Sequence, residues 1–153
     1  MKPFVLIVLM VTIFLACSQE SEISKRIIAL EKAALERWMN GDVQGYLELY
    51  ADDVTYFDPM LEKRLDGLKE LTELYEPWQG KIKASGYEVI APEVQADENT
   101  AVLTFNLISS AGDTTYKWNC TEVYRKEKGG KWKIVHSHWS YTKPDLKNED
   151  TPV

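Results

Sequence analysis

The stretch KWNCTEVYRKEKGGKWKIVHSHWSYT, Lys117 to Thr142, decides how this chain folds. It reads as two long strands joined by a tight turn at Glu127-Lys128-Gly129-Gly130. On the first strand Tyr116, Trp118, Cys120, Glu122 and Tyr124 alternate onto one face. Lys117, Asn119, Thr121 and Arg125 fall on the other, with Val123 the exception. The apolar face therefore holds one acid. A carboxylate in a row of aromatic side chains has to be paired, hydrated or kept protonated, because burying it bare is costly. Glu122 is thus a candidate pocket acid; the ordinary alternative is a rim position where it pairs with a neighbouring lysine.

A chain of 153 residues fits one domain with a core that needs no metal or disulfide staple. It carries 24 Asp plus Glu against 18 Lys plus Arg, a formal charge of -6, and it has no Lys/Arg-rich run. Nucleic acid is excluded as a partner, since binding it needs a basic footprint. Five Trp and eight Tyr suit a core and a ligand cavity equally well, because each ring carries a polar handle.

At the N-terminus, Met1-Lys2 precedes a weakly polar to apolar run from Pro3 to Ala16. At ~1.5 Å per residue it is too short to cross a ~30 Å hydrocarbon layer as a helix, so it reads as a secretory signal spanning 1–16. The run ends Phe14-Leu15-Ala16-Cys17-Ser18, which resembles a bacterial lipobox with an unusual Phe14. That resemblance implies an acylated Cys17, a polar tether over 17–24, and a membrane-anchored lipoprotein exported to the periplasm or outer membrane. Cys120 is then the one free thiol, with no partner for a disulfide.

Between Ile23 and Asn40, Ile23, Ile27, Leu30, Ala34 and Trp38 recur at helical spacing, with Lys25, Arg26, Glu31, Lys32 and Glu36 assigned to the polar side. Gly41 suits the left-handed residue after a helix, and Asp42 caps a second helix running to Tyr50. Val54 to Phe57 reads as a strand stopped by Asp58-Pro59. Asp66 starts a third helix with Leu68, Leu71, Leu74 or Tyr75, and Trp78 on one face. Extended chain follows from Ile82 to Ala96, with an edge or bulge at Pro92, and from Ala101 to Ser109, before the closing hairpin. Helices first and strands last predict an α+β domain over 25–143: a cone-shaped, strongly curved antiparallel sheet covered by three N-terminal helices. Residues 144–153 read as a flexible tail.

Two motifs are similar to those of the nuclear transport factor two-like, or SnoaL-like, superfamily, which includes ketosteroid isomerase and the association domain of calcium/calmodulin-dependent kinase II. Tyr50-Ala51-Asp52-Asp53-Val54-Thr55-Tyr56-Phe57-Asp58-Pro59 resembles an isomerase segment. Thr121-Glu122-Val123-Tyr124, Gly130-Lys131-Trp132 and Val135-His136-Ser137-His138 resemble the closing hairpin of the kinase domain. The resemblance implies Asp58 as general base and Glu122 as a protonated donor, with Tyr50, Tyr75 and Trp139 in the pocket. The rings of Trp38, Phe105 and Trp118 are assigned to the same pocket. The principal oxyanion tyrosine of the isomerases falls at Ala34, and losing one such donor costs ~3 kcal/mol of transition-state stabilisation.

His136 and His138 point the same way, ~6.7 Å apart at strand rise, opposite the face of Val135, Ser137 and Trp139. With no third ligand at a recognisable spacing they predict no metal, and no phosphate-cradling glycine loop or other cofactor motif occurs. Asn106 falls where the kinase domain has a pocket arginine, but alternation puts Leu103, Phe105 and Leu107 on the apolar face. The functional expectation is an exported protein, homodimeric, that binds a small, partly apolar molecule. The alternatives are a proton-transfer enzyme of isomerase, dehydratase or cyclase type, and a structural oligomerisation domain.

Overall fold

A computed structural model describes residues 22–142. The signal segment, Cys17, most of the tether and the segment after Thr142 lie outside the described residues, and with them the expectations placed there.

Residues 22–39 form helix α1. Its inward stripe is Ile27, Glu31, Ala34, Leu35 and Met39, all buried at steps of three and four. Glu31 is therefore not on the polar side where the sequence reading put it. It takes a core position, while Ile23, Leu30 and Trp38 are only partly buried. Gly41, at φ +85, ends the helix, its N–H donating to the Trp38 carbonyl.

Helix α2, Gln44–Leu47, is shorter than expected. The cause is the sheet: the Leu49 carbonyl accepts the Ile134 N–H, and β1 runs from Tyr50 to Phe57. Asp42 does accept the Gln44 N–H at 3.1 Å. A two-residue strand β2, Leu65–Asp66, precedes α3, Leu68–Tyr75, so Asp66 belongs to the sheet and Gly67 caps the helix. Leu71 and Tyr75 face inward, but Trp78 lies in a following 3-10 turn, Glu76–Trp78, at 53 % exposure.

Then come β3 (Gly86–Ala96), β4 (Thr100–Ala111), β5 (Thr114–Lys126) and β6 (Trp132–Tyr141). β3 begins four residues later than expected, and it bulges opposite Phe105, where Ala91 and Pro92 fall outside the register. The six strands form one curved sheet in the order β2-β1-β6-β5-β4-β3. The α+β fold class is as expected, with one qualification: the sheet is mixed, because β1 runs parallel to β6.

A bulge in β6 aims the interior. Val123 faces His136 and Tyr124 faces Ile134, so Val135 is an extra residue. The extra residue resets the alternation, and Ile134 before it and Ser137 and Trp139 after it all point into the core. His136 and His138 face the other side, where Phe57 packs on both rings at 6.0 and 5.4 Å. The Thr55 hydroxyl bonds to His136 Nδ1 at 2.7 Å. Asn106 is exposed on that outer face too, donating to Asn119 at 2.8 Å, so alternation and not the resemblance places it correctly.

α2 sits on α1 through Gly45, whose absent Cβ would stand 2.7 Å from both the Ala34 carbonyl and the Arg37 Cβ. Gly45→Ala is expected to lower the unfolding free energy by about 1–3 kcal/mol, measured by urea titration. A stability equal to that of the parent would show that the helices separate freely.

Candidate functional site

The concave face of the sheet is a set of in-register rows. Leu103, Glu122 and Ser137 form one, Phe105, Cys120 and Trp139 the next, and Leu107, Trp118 and Tyr141 the next outward. Strand alternation alone carries Glu122 inward, and it is fully buried at 0 % exposure.

Its neighbour there is Glu31 of α1, 1 % exposed. The Tyr124 hydroxyl lies 2.8 Å from Glu31 Oε2 and 2.9 Å from Glu122 Oε2. Tyr46 donates to Glu31 Oε1 at 2.6 Å, and Ser137 donates to Glu122 Oε1 at 2.9 Å. Trp139 Nε1 donates to the Ser137 oxygen at 3.1 Å. Every oxygen of the two carboxyls is engaged, by hydroxyls and by one another.

Tyr124 has one hydroxyl proton and two carboxyl neighbours. It can donate to only one of them, so the other contact is a hydrogen bond only if that carboxyl is protonated and donates to the tyrosine oxygen. Burial pushes Glu122 well above the usual carboxylate range, and the adjacent Glu31 pushes it further. The hydrogen bonds from Ser137 and Tyr124 pull the other way without cancelling this. Burial likewise holds the Tyr46 and Tyr124 hydroxyls protonated. Glu122 is thus held as the neutral acid, and its proton supplies the contact that the single Tyr124 hydroxyl proton cannot.

A second group adjoins it. The Tyr75 hydroxyl lies between those of Tyr50, at 3.4 Å, and Tyr56. Tyr56 donates to Asp58 Oδ2 at 3.1 Å, and the Met60 N–H caps Asp58 Oδ1 at 2.8 Å. Burial pushes the Tyr75 hydroxyl up, its hydrogen bonds with Tyr50 and Tyr56 pull it partly back, and Glu122 and Asp58 nearby push it up again. Tyr75 is thus linked through Tyr56 to Asp58 and lies within electrostatic reach of Glu122. Trp38 packs on Tyr75 at 4.6 Å and on Tyr46 at 5.9 Å, closing the cluster from α1.

Farther along the sheet the face opens. Trp118 packs on Tyr141 at 4.5 Å, on Tyr116 at 6.3 Å and on Trp139 at 6.2 Å, and Trp139 meets Phe105 at 5.7 Å. Trp139 and Phe105 are buried, whereas Tyr116 and Tyr141 are 40 % and 48 % exposed. Among the described residues, no group of three or more His, Cys, Asp or Glu is placed to hold a metal ion.

This arrangement, with inward acids and rings on a curved mixed sheet under N-terminal helices, agrees with a sequence match: the profile of the SnoaL-like domain covers residues 27–144. The chain belongs to the SnoaL-like domain family. Among solved structures, a Parabacteroides distasonis ATCC 8503 protein provisionally assigned as a ketosteroid isomerase is 47% identical. The match covers 77% of this chain and 86% of that one, with a TM-score of 0.70. An NTF2-like protein of unknown function from Pseudomonas putida KT2440 is 26% identical over 81% and 87% of the two chains, with a TM-score of 0.69. The association domain of C. elegans CaMKII, at 22% identity, 80% and 98% coverage and a TM-score of 0.68, shares the fold. No curated protein matches the sequence.

In this SnoaL-like chain Ala34 is buried on the inward stripe of α1. Glu31 is the residue that sequence reasoning missed. Its signal was present in the spacing, since it lies four residues after Ile27 and three and four before Ala34 and Leu35.

Protonation of Glu122 in the native state has a thermodynamic sign. Its folded pKa lies above the unfolded value of about 4.3, so its contribution to stability is complete below that pH and is lost as pH rises toward the folded value. Denaturant unfolding of the parent should show stability falling by up to about 1.4 kcal/mol per pH unit in that interval. Glu122→Gln should flatten that dependence. A variant with the parent's slope would place the proton elsewhere.

Proposed function

We propose that this protein is an exported, lipid-anchored SnoaL-like domain that binds a small, partly apolar molecule on the concave face of its sheet. The observation that carries this is the unbroken aromatic path from exposed Tyr116 and Tyr141, through Trp118, to buried Trp139 and Phe105. Rings with polar tips at the entrance and apolar rings at the floor suit a molecule with one polar end. The lipobox-like Leu15-Ala16-Cys17 supports the anchor.

Binding is favoured over turnover by how the acids are used. Glu122 spends its hydrogen-bonding capacity on Ser137, Tyr124 and Glu31, and Ala34 leaves no hydroxyl where an oxyanion would be held. Native mass spectrometry of protein purified from its host should show a bound small molecule. Trp118→Ala should reduce its occupancy about tenfold, the scale of one lost aromatic contact. Repeated preparations with nothing bound, in a folded protein, would sink the proposal.

The second reading is a proton-transfer enzyme with Asp58 as base. It is supported by the half-buried place of Asp58 at the end of the Tyr50–Tyr75–Tyr56 row and by the 47% identical neighbour's provisional assignment. Conversion of an unsaturated 3-ketosteroid to its conjugated isomer, followed by absorbance, tests it: activity abolished by both Asp58→Asn and Glu122→Gln would establish this reading over the first. The expected homodimer, and the larger ring that the kinase-like fold suggests, are separated by light scattering.

A further inference from the structure

The start of α1 and the β5–β6 turn enclose a groove of about 580 Å³ that plays no part in the site above. Ile23 and Trp132 form its apolar part, and Glu22, Lys25, Arg26 and Lys126 its charged part. Lys25 is paired with Glu22 at 2.8 Å. No acidic side chain among the described residues pairs with Arg26 or Lys126. Lys128 and Lys131 are exposed on the same turn, whereas Glu127 is engaged by Arg125 at 2.8 Å. In a chain of net charge -6 the groove's own lining carries Lys25, Arg26 and Lys126 against Glu22, while the Asp97-Glu98 turn, whose Asn99 carbonyl accepts the Lys126 N–H, is the acidic neighbour outside it.

The groove also lies next to the place where the chain enters the domain. Cys17 precedes Glu22 by five residues, a span of at most about 18 Å when fully extended. We propose that this cationic groove is a docking surface for the anionic headgroups of the bilayer to which Cys17 tethers the chain. The inference rests on the lipid-anchor part of the functional reading and goes beyond its ligand site. An anchor that short brings Arg26 and Lys126 to the headgroup layer, within reach of its negative surface potential. The partly buried Ile23 beside them gives the headgroup region a small apolar contact as well.

The test uses the full chain carrying Cys17→Ser, which removes the acylation site and leaves the groove intact. It is co-sedimented with phosphatidylcholine vesicles and with vesicles that also contain phosphatidylglycerol. Lys2 and the N-terminal amine ahead of the Pro3–Ala16 segment attract anionic lipid equally in every variant, so the difference between parent and charge-reversed chain reads the groove. The expected result is roughly tenfold or greater preference for the anionic vesicles at low salt, lost at high salt. Arg26→Glu with Lys126→Glu should reduce that anionic preference about tenfold relative to the parent chain while thermal unfolding stays unchanged. Lys128→Glu with Lys131→Glu, in the exposed turn, provides a second variant with the same expected direction. Equal binding to the two vesicle types, or a preference that survives both charge reversals, overturns the docking surface. Mass spectrometry of the N-terminal peptide from host membranes reads the anchor separately: unmodified Cys17 overturns the premise, and acylated Cys17 without anionic preference overturns the groove alone.

Discussion

Two carboxyl groups can be buried against one another only while a proton stays between them. That constraint organises this domain. Glu31 comes from α1, Tyr46 from α2, Glu122 and Tyr124 from β5, and Ser137 from β6, so the pair is satisfied only when four elements are in place together. A one-residue slip of β5 would turn Thr121 and Val123 inward and strand Glu31 without its acid partner. The network penalises wrong registers through unmet polar groups, where an apolar core would tolerate many of them.

The same strand separates two surfaces. β5 begins among Tyr116 and Trp118 and ends at Lys126, beside the chain's entry into α1. From Trp118 to Lys126 the strand rises about 26 Å. The open aromatic end and the cationic end therefore lie at opposite limits of one strand, with the acid pair between them.

Glu122 was legible in the sequence because strand alternation is short-range and strict, so a lone acid in an aromatic row stands out. Glu31 was not. Its spacing fits the inward stripe, but a charged residue on a helix reads as solvent-facing by default, and the tyrosines that satisfy it lie 15 and 93 positions away. The fold class was legible for the opposite reason, being a matter of element order and periodicity. The parallel pairing of β1 with β6 was hidden, since nothing local to Tyr50–Phe57 names its partner. Alternation placed Ser137 and Trp139 inward and the histidines outward, but that the phase is reset by the extra residue at Val135 emerges only from the register with β5. Asp58 was legible as a turn residue and remains one, with Tyr56 and the Met60 N–H on its two oxygens.

The pairing of β1 with β6 also bears on how the chain is made. Thr55 and His136, bonded across those strands, are 81 residues apart. During synthesis the first helix and first strand leave the ribosome long before the strand that completes them exists, and contacts of such separation form slowly. Until the last segment emerges, the edge of β1 opposite β2 has no strand beside it, and the two halves of the sheet cannot join.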